Sequence, residues 1–74
     1  MQFDFSKLLG RIKEFGYTQA GLADEIGMAK TTMSLKLNNK AFFTPLEIEK
    51  IRRILRIAHE EIGIYFFTLK VQKN

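Results

Sequence analysis

Two short apolar-periodic runs separated by a few residues around a glycine, Gly27, constrain this chain more than any other feature of its sequence. The first run starts at Thr18, an N-cap type, and carries Leu22, Ala23 and Ile26 on one face. Gly27 stops it, and a second run follows almost at once from about Ala29 to Leu37, with Met33 and Leu37 inward and Met28 at its entry. Such runs are too short to be stable helices alone, so each must bury its stripe against the other and against flanking helices. The pattern predicts a pair of helices crossing at a steep angle, with a small residue, Ala23, at the crossing.

The flanking segments supply the remaining layers. Phe5, Leu8, Leu9, Ile12 and Phe15 form one stripe of a helix from about Phe5 to Phe15, with Asp4 as a suitable N-cap and Gly16 at its end. Gly10 lies inside it, either to allow a close helix approach or as a tolerated weakness. Asn38-Asn39 closes the third helix, since Asn accepts positive φ readily. Thr44-Pro45-Leu46-Glu47 combines a capping box with Pro at the first helical position and opens a fourth helix, with Ile51, Ile54, Leu55 and Ala58 as its stripe. A fifth, about His59 to Phe66, carries Ile62, Tyr65 and Phe66. Residues 67–74 alternate weakly (Phe67, Leu69, Val71) and read as strand or coil. The expected fold is all-α: one domain, a compact bundle of four to five short helices with a central helix-turn-helix at about residues 18–38.

Composition enters where it removes alternatives. With 74 residues there is one core, and with no Cys and one His neither disulfides nor a zinc site can support it. No metal or cofactor is expected. There is no Ser–His–Asp set, no Gly-rich phosphate loop and no carboxylate pair, because Glu60 and Glu61 are adjacent and diverge on a helix; the reading is not an enzyme. His59 reads as a capping or solvated residue. No apolar run reaches membrane-spanning length and the N-terminus lacks a signal-peptide pattern, so the expected compartment is the cytoplasm.

The net charge of +4 favours an anionic partner, and its placement says more. From Ile26 to Leu46 there is no Asp or Glu, while Lys30, Lys36 and Lys40 lie within that stretch and all eight acids flank it. A polyanion would meet the third helix and its loop without repulsion. The basic run Lys50, Arg52, Arg53 and Arg56 reads as a solvated face, with a second phosphate surface as the alternative.

The segment Thr18-Gln19, Leu22-Ala23, Gly27, Thr31-Thr32-Met33-Ser34 and Lys40 resembles the DNA-binding region of phage Cro/CI-type repressors, the Xre-like helix-turn-helix family. Phe3-Asp4-Phe5-Ser6-Lys7-Leu8, Leu35-Lys36-Leu37-Asn38 and the stretch Ile64 to Gln72 are similar to small phage-encoded regulators. Asn39 departs from a usual Gly, and Gly21 from a common Glu. The resemblance implies a sequence-specific transcriptional repressor that reads the major groove of double-stranded DNA with its third helix. Base-reading residues would be Ala29, Lys30, Thr31, Ser34 and Leu35; Gln19, Lys36, Asn38 and Lys40 would hold the DNA backbone. Periodicity agrees in part, since Thr31, Ser34, Leu35 and Asn38 lie opposite Met33 and Leu37. Leu35 packing on the fourth helix is the alternative to base contact.

Two further expectations concern partners. A weak homodimer, completed on an approximately palindromic operator, would draw its contact from Phe67, Leu69 and Val71, by strand pairing or side-chain packing; otherwise these residues finish the monomer core. The second function class is a protein-interaction module of the same fold, an antirepressor that binds another regulator. Exposed aromatics and mixed charge would distinguish it from a DNA reader.

Overall fold

Four helices end in the same way, and those endings set the architecture. The computed structural model describes residues 2–71. Helices α1 (Ser6–Glu14), α2 (Gln19–Glu25), α3 (Lys30–Leu37) and α4 (Pro45–Ile54) are each followed by one residue at positive φ: Gly16, Gly27, Asn39 and Arg56. At each, the next N–H reaches back five residues: Tyr17 to Ile12, Met28 to Ala23, Lys40 to Leu35 and Ile57 to Arg52, at 2.8–3.0 Å. These are Schellman endings, which satisfy the last carbonyls and swing the chain sharply away. Gly27, at φ 74, makes the turn between α2 and α3 without the steric cost a Cβ would bring. A 3-10 turn (His59–Glu61) leads into α5 (Ile62–Phe66). The bundle is all-α as expected; the first three helices keep their boundaries within a residue, whereas α4 stops four residues short of Ala58 and α5 starts three residues after His59.

Helix starts follow the sequence less uniformly. Thr18 caps α2, its hydroxyl accepting from Gly21 N–H at 2.9 Å. Thr44 and Glu47 make the full capping box of α4. Asp4 acts one residue earlier than an N-cap: its carboxylate accepts from the N–H and the hydroxyl of Ser6. Ala29, which precedes α3, offers no side-chain cap.

The core gathers Phe5, Leu8 and Ile12 of the first stripe with Leu22, Ala23, Ile26, Met33 and Leu37, and with Ile48, Ile51, Leu55, Ile57, Tyr65 and Phe66. Fully burying each large aliphatic or aromatic residue contributes about 1.5–3 kcal/mol. Leu9, expected in the α1 stripe, lies outside this core. Ala58 is exposed and Ile57 buried, the reverse of a helix continued through residue 58; the left-handed turn at Arg56 changes the phase. Arg11 holds that turn, donating from Nε to Leu55 O at 2.9 Å and from Nη2 to Arg56 O at 3.0 Å.

The tail joins the monomer. Phe3 and Leu69 form an antiparallel bridge, with Asp4 N–H donating to Thr68 O (2.7 Å) and Lys70 N–H to Gln2 O (3.0 Å). The Phe67 ring meets Phe3 edge-on at 5.7 Å. The bridge ties the tail to the monomer, while Phe67, Leu69 and Val71, the residues expected at a dimer contact, stay at least half exposed. The expectation of strand or coil over residues 72–74 lies outside the described residues.

Candidate functional site

Packing of α2 against α3 buries Leu22, Ala23, Ile26, Met33 and Leu37, which holds the opposite face of α3 outward. Ala29, Lys30, Thr31, Ser34 and Leu35 are all exposed on that face, together with Asn38, Lys40 and Gln19. Leu35 is 49% exposed. Asn38 is tied back, its amide donating to Ser34 O at 2.8 Å. That leaves its oxygen as the free end.

Lys36 departs from the expectation. Expected on the DNA backbone, it is 8% exposed and its Nζ donates to Glu47 Oε1. The physical reason is the capping box of α4. Thr44 N–H donates to the same Glu47 carboxylate oxygen at 2.8 Å, which fixes that side chain over α3 where the lysine can lie along apolar surface and reach it. Partial burial pushes the Glu47 pKa up, but hydrogen bonds from Lys36 and Thr44 and the Lys36 charge outweigh it, and the carboxyl is held below its usual range. The acid-free stretch therefore presents two open cations, Lys30 and Lys40, and the third is neutralised from just outside it. Sequence offers little warning of this pair, whose members lie on different helices.

The loop after α3 carries a feature that sequence reasoning missed. Phe42 is 76% exposed and Leu46 64% exposed, whereas Phe43 turns inward against Phe5 and Phe66, with ring centroids 5.6 Å apart in each case. Two adjacent phenylalanines in a loop cannot both face one core, which is the signal that was available. The Phe42 ring stands edge-on to Phe3 at 6.4 Å, so Phe42, Phe3 and Phe67 form a continuous aromatic surface at the ribbon. Asn39 fixes its position: the side-chain amide accepts from Phe3 N–H at 2.7 Å and donates to Phe3 O at 3.0 Å, as a neighbouring strand would. This is what an Asn supplies in place of the usual Gly.

The basic run on α4 and the turn after it is mostly exposed, as a solvated face would be, and part of its charge is paired within the protein. Arg52 and Arg53 both bond the Glu49 carboxylate, holding its pKa below the usual range, and Arg52 also contacts His59 Nε2 at 2.8 Å. Lys50 remains exposed beside Arg53 on an open, shallow surface with Glu25 and Ile26. Among the described residues no helix is long and apolar enough to cross a membrane.

No curated protein sequence matches the chain. A family described as a protein of unknown function, DUF739, matches residues 1–69. The chain belongs to this family. Among solved structures, the DUF739 chain is similar to the solution structure of the modulator of repression (MOR) of the temperate bacteriophage TP901-1 from Lactococcus lactis. Identity is 40%, the TM-score is 0.79, and the match covers 97% of each chain. This DUF739 chain thus shares its overall fold, along nearly its whole length, with that modulator of repression.

Proposed function

We propose that this protein is a modulator of repression of the phage type, acting as a protein-interaction module that binds another phage regulator. The observation that carries the reading is the 40% identity to the phage modulator across 97% of both chains. Side-chain placement supports it. Exposed Leu35, Phe42 and Leu46 give α3 and its following loop the apolar, aromatic character of a protein-binding surface rather than of a phosphate-binding one. Neutralisation of Lys36 by Glu47 lowers the cationic charge available to DNA.

Calorimetry against the repressor protein of the same phage, run beside footprinting on its operator, tests this. The expected result is a stable complex with the repressor that alters the repressor's footprint, with no footprint from this protein alone. A footprint from this protein alone, without a complex, sinks the proposal.

One observation favours a second reading, sequence-specific DNA binding by a repressor of Cro/CI type. Lys30, Thr31 and Ser34 are free on the outward face of α3, where they suit guanine O6/N7 and other base edges. In that reading a homodimer on a near-palindromic operator is required, and the same footprint decides between the two.

A further inference from the structure

The ribbon of residues 2–4 and 68–70 has one closed edge and one open edge. Antiparallel strands turn successive N–H and C=O groups alternately toward and away from their partner. Thr68 O and Lys70 N–H bond inward to Asp4 and Gln2, so Leu69 and Phe3 turn their own groups outward on opposite sides. On the Phe3 side the Asn39 amide satisfies both groups. On the other side, no partner bonds Leu69 N–H or C=O among the described residues. The open edge is apolar in its side chains: Phe67 is 50% and Leu69 51% exposed, and Phe67 borders a notch of about 30 Å³ shared with Phe3, Phe42 and Phe43. That volume takes a methyl-sized group.

We infer that this edge, at Leu69, docks an extended strand of a partner protein whose apolar core is flanked by acidic side chains. The inference rests on the protein-partner reading above and names the surface and the chemistry. Backbone pairing supplies the affinity and the aromatic notch the selectivity for small apolar side chains, as in strand addition to exposed sheet edges. Charge selects the occupant. Lys70 follows Leu69 directly on the open strand, is exposed, and is not ion-paired among the described residues. The nearest acid, Asp4, feels Lys70 but its carboxylate is turned onto Ser6. A second copy of this tail would bring another Lys70 to the same edge, and a lysine on an exposed edge is a device against self-pairing. An acidic strand meets no such opposition.

The test is an amide-resolved NMR titration with two capped peptides, Glu-Thr-Val-Thr-Val-Thr-Glu and the same peptide with Lys for each Glu. The acidic peptide is expected to shift the Leu69 amide and to bind about tenfold more tightly than the basic one. Leu69→Pro removes the outward N–H together with the leucine side chain, at an edge position where Pro is tolerated, and is expected to weaken binding by about tenfold or more, whereas Leu69→Ala, which keeps the N–H, should weaken it less. Lys70→Glu leaves the backbone intact and should reverse the preference between the peptides. Equal binding of both peptides, absence of any shift at Leu69, unchanged binding to Leu69→Pro and Lys70→Glu, or self-association of the unliganded protein through Leu69 would each overturn the inference. A repressor complex that survives Leu69→Pro also overturns it while leaving the proposed function standing. Failure of the unaltered protein to bind any repressor sinks the proposed function, and the peptide titration still decides the edge.

Discussion

At the scale of single residues, one backbone turn is held against its residue's ordinary preference. Arg56 sits at φ 53, where a non-glycine residue is strained by roughly 1 kcal/mol, and Arg11 clamps the carbonyls on either side of the turn. Arg56→Gly should therefore raise stability by up to about 1 kcal/mol, and Arg11→Ala should lower it by about 1–2 kcal/mol, measured by urea denaturation. If Arg56→Gly were destabilising, the left-handed turn would not be the strained element. Gly10 is the simpler case: a Cβ there would meet nothing within 4 Å, so Gly10→Ala should add about 0.5–1 kcal/mol, and the glycine serves no close helix approach.

The Lys36–Glu47 pair makes a pH prediction at the same scale. Glu47 has a folded-state pKa below its unfolded value, so its stabilisation is complete above the unfolded pKa and is lost as pH falls through the folded one. Unfolding free energy should drop as the solution is acidified below about pH 4.5. In Glu47→Gln the part of that slope due to this carboxyl should vanish. Lys36→Ala should cost on the order of 1–2 kcal/mol of stability, between the values of an exposed and a buried pair, because Lys36 is buried and paired with Glu47. Thermal melts of both variants across the acid range check this.

At the scale of elements, helix endings explain what the sequence made legible. Gly16, Gly27 and the Asn38-Asn39 pair announced three of the four Schellman turns, because glycine and asparagine carry the left-handed preference in their own chemistry. The fourth was hidden, since arginine carries no such preference and its turn is fixed by Arg11, far away in sequence. The exposed face of α3 was equally legible, following from the periodicity of Met33 and Leu37. Lys36 and Phe42 were not: their positions depend on Glu47 and Phe3, which no local pattern connects to them. Asn39 shows how one position serves two elements, ending α3 and closing the ribbon edge. Asn39→Gly should keep the turn yet lose both bonds to Phe3, so the Phe3 amide should exchange faster with solvent while global stability changes by less than about 1 kcal/mol. Asn39→Ala loses the turn preference as well and should cost about 1–3 kcal/mol. Hydrogen exchange of the two variants separates the roles.

At the scale of the whole molecule, the distribution of open charge bears on the partner. With Lys36 withdrawn, each chain can offer about two lysines, Lys30 and Lys40, to phosphates from the acid-free stretch. Any DNA binding should then have a log–log salt slope no steeper than about −2 per chain. Binding to a protein partner through Leu35, Phe42 and Leu46 should instead be lost in Phe42→Asp and Leu46→Asp, with a salt dependence no steeper than that of one exposed lysine. Gel-shift and calorimetric titrations over a salt series read both. A slope much steeper than −2 would return the weight to DNA.

The bridge between Phe3 and Leu69 has a consequence for how the protein comes into being. Its two sides lie at opposite ends of the described chain, so the loop that closes it spans nearly all of the polypeptide, and such contacts form late. The helix pair at residues 19–37 can assemble while the chain is still being synthesised. The aromatic ribbon cannot, because Leu69 must first be made and brought back to Phe3. Residues 2–4 therefore wait unpaired while more than sixty further residues are made, and the open edge at Leu69 comes into being only after the helices between have been synthesised.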